Sequence, residues 1–320
     1  FPMMLSQLAT IFFILISQLG ISASSKDVLA SALQSYTPQK EYVMAEAEGL
    51  SDSRVASEVI STLSPLPGKI GADSTVAVNA KAAIVLDAAT KEILFESNAR
   101  EKMAMASITK LMTALLVLEK GNLGDVVHVT QEDVIETGSD IDLRSGEQVL
   151  LGDLLRATLI KSANDAAYAS AHHVGGTVDN FVKMMNEKAV ELGLRQTFYR
   201  NPHGFDEVGH YSSAFDIALL MSHAMENKTF SDINKMKECD VAILNSDRVS
   251  HVSTTNELLK VDDPLIEGGK TGFTDEAGES VVLVAKNPAG HRIITVILNS
   301  PNRFAEGKKL IDFVYEKYQW

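Results

Sequence analysis

The sequence predicts an α/β (α+β) domain in which strands from the two ends of the chain form a central antiparallel sheet and a helical cluster lies between them. Two β-rich pairs of runs, at 82–87 with 92–96 and at 281–285 with 293–298, predict the sheet. Between them, apolar residues recur at helical spacing over 150–159, 165–173, 178–192 and 214–226, with Gly and Pro at the joints. A chain of 320 residues with 45 % hydrophobic content can bury a substantial core around such a sheet.

Taken in order, the chain opens with an apolar run at 8–21 (LATIFFILISQLGI) followed by small residues at 22–25. Residues 1–25 are therefore expected to be a signal peptide or a membrane anchor, so that membrane attachment would run through 8–21 and the protein would be exported to an extracytoplasmic location. The stretch has no Lys or Arg and starts with Phe, so an upstream basic segment is expected to be missing. Residues 26–78 are rich in Ser, Ala and Glu, broken by Pro38, Pro65, Pro67 and Gly68, with weak helical patterns at 28–33 and 55–63; they predict a linker or stalk. The folded domain is expected over 79–320. Its first hairpin turns at 88–91, and its first helix spans 107–120 (SITKLMTALLVLEK), with Leu111, Ala114, Leu115 and Leu118 on one face and Gly121 as the stop. Asn287-Pro288-Ala289-Gly290 turns the second hairpin, and 304–318 closes as an amphipathic helix.

The net charge of −13 provides no diffuse positive field, which argues against nucleic acid as a partner. An anionic substrate then requires a local cationic pocket. The single Cys239 cannot form an intramolecular disulfide and reads as a half-buried residue. His172 and His173 are adjacent rather than four apart and no H-E-x-x-H occurs, so no metal or other cofactor is expected.

Three short motifs carry chemistry. Ser107-Ile108-Thr109-Lys110 places a hydroxyl and an amine on one face at a helix start, where burial would lower the lysine pKa and let it act as the base for the serine. Ser162-Ala163-Asn164 sits on a link between two predicted helices and offers a second hydroxyl and an amide. Lys270-Thr271-Gly272 lies in a glycine-rich strand, where a ligand can approach the backbone. Each is weak alone, and Ser300-Pro301-Asn302 is a chance copy of the second. The order S-x-x-K, S-x-N, K-T-G is seldom coincidental, and a closely similar set marks penicillin-binding proteins and class A β-lactamases.

With these motifs and the words AKAAIVLDAATKEILFE, KSANDAA, NPHGFDEVGHYSSAFDIALL and KTGFTDEAG, the chain resembles, from about 80 to 318, the serine-type D-alanyl-D-alanine carboxypeptidases among the low-molecular-mass penicillin-binding proteins. The resemblance implies a β-lactamase/penicillin-binding-protein transpeptidase-like fold and hydrolysis of the peptidoglycan stem peptide, with β-lactams as covalent inhibitors. It implies Ser107 as nucleophile, Lys110 as its base and Ser162 as proton relay, with Asn164 orienting substrate. Lys270, Thr271 and Arg303 would hold the terminal carboxylate, Gly272 would leave room for substrate, and the N–H groups of Ser107 and Phe273 would form the oxyanion hole. His203 and His210 would be structural hydrogen-bonders. The family often carries a C-terminal β-rich domain, so this chain is expected to be a single-domain or clipped member, and Ser280 stands where a cysteine is expected.

Two other functions are compatible with the motifs. A β-lactamase of class A adds a glutamate that activates water; Glu187 and Glu191 fall in the right interval, in a segment (NEKAVELG) unlike the usual loop. A non-catalytic penicillin-binding sensor or scaffold would need neither Lys110 nor Ser162. Carboxypeptidase and endopeptidase preference are not separated by these residues.

Overall fold

The computed structural model describes residues 66–70, 75–135 and 137–320; the expected leader at 1–25 and the helical patterns at 28–33 and 55–63 lie outside them. The chain divides into two units, Phe1–Leu66 and Pro67–Trp320, and every element below belongs to the second. This unit starts upstream of the expected Asn79 because β1 (Gly68–Lys69) pairs with β11 (Tyr318–Gln319) at the other end of the chain.

The central sheet contains β2 (Ala82–Asp87), β3 (Ile93–Ser97), β8 (Ile266–Gly272), β9 (Glu279–Lys286) and β10 (Arg292–Ser300). Their order is β3-β2-β10-β9-β8, antiparallel throughout, with Ala82 opposite Leu298 and Val85 opposite Thr295. The first hairpin turns where the Asp87 carboxylate accepts the N–H groups of Ala89 (3.1 Å) and Thr90 (2.7 Å). Two smaller ribbons pair β4 (Val126–His128) with β5 (Gln148–Leu150) and β6 (Glu238–Ala242) with β7 (Val249–Ser253). The β6–β7 hairpin falls between the helical pattern that ends at 226 and the β-rich run that starts at 281, where the sequence assigns no element. Each of its strands buries one apolar side chain, Val241 and Val252, too sparse an alternation to register.

A 3₁₀ turn (Ala106–Thr109) leads into α1 (Lys110–Lys120). There follow α2 (Leu151–Ile160), α3 (Asn164–Gly175), α4 (Val178–Glu191), α5 (Ala214–Ala224), α6 (Lys228–Asn234), α7 (Glu257–Lys260) and α8 (Arg303–Lys317). The chance copy of the second motif is a helix cap: Asn302 Oδ1 accepts the Ala305 N–H at 3.1 Å, and the Ser300 hydroxyl donates to Glu306 at 2.5 Å.

The sheet is covered on both faces, so β2, β9 and β10 read as near-continuous apolar runs. Ile84, Leu86, Val284, Ile294 and Val296 face the core formed with the helices between the two hairpins. Val85, Leu283, Ile293 and Ile297 face Leu310, Ile311 and Val314 of α8. Helices on one side, sheet, and α8 on the other make three layers, and β3 and β8 are the sheet's two edges.

Candidate active site

Ser107 lies in the 3₁₀ turn, one turn ahead of Lys110, and the two side chains meet: Lys110 Nζ donates to Ser107 Oγ at 2.9 Å. The turn is wedged in place. Ala106 has φ +47°, and Gly204, at φ +93°, packs so tightly behind it that a Cβ there would lie 2.0 Å from the Ala106 carbonyl oxygen. Lys110 is fully buried at the start of an apolar helix and also donates to Asn164 Oδ1 (2.6 Å) and to the His203 carbonyl (2.6 Å). All three partners are neutral. Burial, and then the nearby Lys270, push the amine well below the ordinary lysine range, against a smaller opposing pull from Asp165.

Ser162 sits in the break between α2 and α3 with φ +67°, a left-handed conformation that costs a non-glycine residue energy and is held by its surroundings. Its Oγ accepts from Lys270 Nζ at 2.6 Å, and the same amine donates to the Thr271 carbonyl at 2.9 Å. Lys270 is 1 % exposed, and burial, then the Arg303 charge, lower its pKa to about 7. Asn164 has a second contact: its Nδ2 donates to the Thr137 carbonyl at 2.9 Å. The neighbouring Asp165 accepts the N–H groups of Ile141 and Leu143, both at 3.0 Å, and so pins that loop beside the site.

The third motif runs along β8. Gly272 lets the strand meet the serine turn, since a Cβ there would lie 2.9 Å from the Met105 carbonyl oxygen and 3.2 Å from Ala106 Cβ. Arg303 Nη1 donates to the Gly272 carbonyl at 3.0 Å, while its buried Nε has no hydrogen-bond partner among the described residues. Thr271 shares a hydrogen bond of 2.5 Å with Thr255. Phe273 is 61 % exposed beyond the motif, and Thr274 donates to Asp206 at 2.8 Å, tying the strand end to the 201–210 loop.

The structure thus brings together Ser107, Lys110, Ser162, Asn164, Lys270, Thr271, Gly272 and Arg303, with Phe273 at the rim. His210 shares a 2.7 Å hydrogen bond with Thr109, and burial holds His203 and His210 in the neutral form, down to about 3 and 4. Glu187 and Glu191 are elsewhere, paired with Lys183 and Lys188 on α4. Thr255, Asp165 and Gly204 were not singled out by sequence. For Gly204 and Asp165 a signal existed, their places in the NPHGF and KSANDAA words; Thr255 acts through a contact that no local pattern marks.

A serine hydroxyl held on a buried amine, beside a second hydroxyl–amine pair and a strand edge flanked by cations, defines the serine acyl-transfer class. The chain belongs to the D-alanyl-D-alanine carboxypeptidase family (peptidase S11), whose model matches residues 69–302. It is 35 % identical over 254 residues to D-alanyl-D-alanine carboxypeptidase DacF of Bacillus subtilis (strain 168), covering 77 % of this chain and 64 % of that protein. A D-alanyl-D-alanine endopeptidase of Pseudomonas aeruginosa is 32 % identical over 219 residues, covering 68 % of this chain and 70 % of its own length. The structure of penicillin-binding protein 5 from Haemophilus influenzae superposes with a TM-score of 0.70 at 29 % identity, over 76 % of this chain and 72 % of that one.

Proposed function

We propose that this protein is a serine D-Ala-D-Ala carboxypeptidase that removes the terminal D-alanine of peptidoglycan stem pentapeptides through an acyl-enzyme on Ser107. The observation that carries this reading is Lys110: fully buried, bonded only to neutral acceptors, and 2.9 Å from the Ser107 hydroxyl. An amine so placed favours its neutral form and can take the serine proton as Oγ attacks the carbonyl of the penultimate D-alanine. The N–H groups of Ser107 and Phe273 would stabilise the oxyanion. Ser162, on Lys270 at 2.6 Å, would pass a proton to the departing D-alanine amine, with Asn164 orienting the peptide. Lys270, Thr271 and Arg303 would hold the terminal carboxylate, the local cationic slot that an otherwise acidic chain requires. Water then releases the shortened peptide and restores Ser107.

On this reading β-lactams acylate the same serine, residues 1–25 direct export as a signal peptide or anchor, and the enzyme works outside the cytoplasm. Fluorescent penicillin followed by a denaturing gel, with D-alanine release from diacetyl-Lys-D-Ala-D-Ala, tests it. A covalent band and D-alanine release, both lost in Ser107→Ala, are expected. Folded protein that gives neither would overturn the catalytic reading, and fast drug hydrolysis without D-alanine release would make it a β-lactamase.

A further inference from the structure

The outer edge of β8 is only partly open. In an antiparallel strand the backbone groups of alternate residues point to the same side. Gly269 points away from β9, because both its N–H and its carbonyl are taken by one side chain outside the sheet: Asn234 Oδ1 accepts the N–H at 2.7 Å and Asn234 Nδ2 donates to the carbonyl at 3.1 Å. The carboxamide has the donor and acceptor of a peptide group, so Asn234, at the end of α6, pairs with Gly269 as a neighbouring strand would. It is 5 % exposed, and the fit depends on the adjacent glycine, where a Cβ would lie 2.2 Å from Asn234 Oδ1. By the same alternation the Thr271 backbone points to that outer edge, two residues further on, where no strand pairs with β8. That end of the strand edge is cationic, with Lys270 on the Thr271 carbonyl and Arg303 on the Gly272 carbonyl.

We infer that Asn234 is a specificity-determining stop: a peptide whose carboxylate sits at Thr271 meets the Asn234–Gly269 pair if its backbone continues by another residue. The enzyme is thereby restricted to a leaving residue with a free α-carboxylate, whatever its side chain carries. This rests on the carboxypeptidase reading.

The test compares kcat/KM for diacetyl-Lys-D-Ala-D-Ala, its C-terminal amide, and the same peptide extended by a C-terminal glycine. The extended peptide is scored only by release of the dipeptide D-Ala-Gly, because loss of glycine alone seats its carboxylate at Thr271 and never reaches the stop. In the wild type the extended peptide, although it keeps a carboxylate, is expected to be cleaved at least about tenfold more slowly than the amide, because bulk rather than lost charge is what the stop rejects. Asn234→Ala should narrow the gap between extended and unextended peptide at least about tenfold, and Asn234→Asp, which keeps the acceptor and loses the donor, should narrow it less. Penicillin labelling of Ser107 reports that each variant is folded. An extended peptide cleaved as fast as the amide overturns the inference, with or without folded variants, and so does an unchanged gap in variants that label. Absence of D-alanine release from the unextended peptide overturns the underlying reading instead.

Discussion

Two buried lysines sit within one site in different surroundings. Lys110 has neutral acceptors, and burial and then the Lys270 charge hold it well below its ordinary range; Lys270 is itself lowered to about 7. A lowered lysine pKa means that the cation exists below that value and is lost above it. If Lys270 holds the substrate carboxylate, kcat/KM for diacetyl-Lys-D-Ala-D-Ala should fall as pH rises through about 7 in the free enzyme. Lys270→Arg, whose guanidinium stays charged, should keep that limb flat at a lower plateau, since the fork cannot reproduce the bond to Ser162. A pH profile of kcat/KM for the two proteins decides it; an alkaline limb that persists in the variant assigns the titration to another group. The motif residues were legible in the sequence because each motif is a short contiguous run at a helix start, a link or a strand. The Lys110 bond to the His203 carbonyl was not, because it spans 93 positions and ends on a backbone atom that any residue supplies.

Among elements, the serine turn is held from outside more than by its own sequence. The helix that follows was legible through its spacing of Leu111, Ala114, Leu115 and Leu118, and both terminal hairpins through their apolar runs. The 201–210 loop has no periodicity, yet it supplies the wall behind Ser107: Asn201 Oδ1 accepts the Gly204 N–H at 2.7 Å, and Pro202 and His203 offer carbonyls to Thr113 and Lys110. Gly204→Ala combines a positive φ with a Cβ pressed on the Ala106 carbonyl, so the loop or the turn must move. A loss of at least about 2 kcal/mol in urea unfolding is expected, together with slower penicillin acylation. Near-wild-type values of both would show that the wall yields freely and does not position the serine.

For the molecule as a whole, the unit that starts at Pro67 contains both core clusters and every residue of the site. A protein comprising residues 67–320, which holds both core clusters, is expected to fold alone with a cooperative melting transition and to label with penicillin; a chain of that length that shows neither would mean that this unit is not self-sufficient. The extent of this unit escaped the sequence reading because a two-residue strand such as Gly68–Lys69 has no pattern, and its partner lies at the opposite end of the chain. The sheet order also sets a schedule for synthesis. β10 lies between β2 and β9, and Ala82 pairs with Leu298, so the first strand of the central sheet waits for the last of that sheet before it gains that neighbour. Folding dominated by such distant pairings is slow. Lys270, whose charge helps to lower the Lys110 pKa, belongs to the same late segment. A nascent chain that stops before β8 therefore has no Lys270 amine beside Lys110, and the pair of buried lysines assembles only after β8 is made.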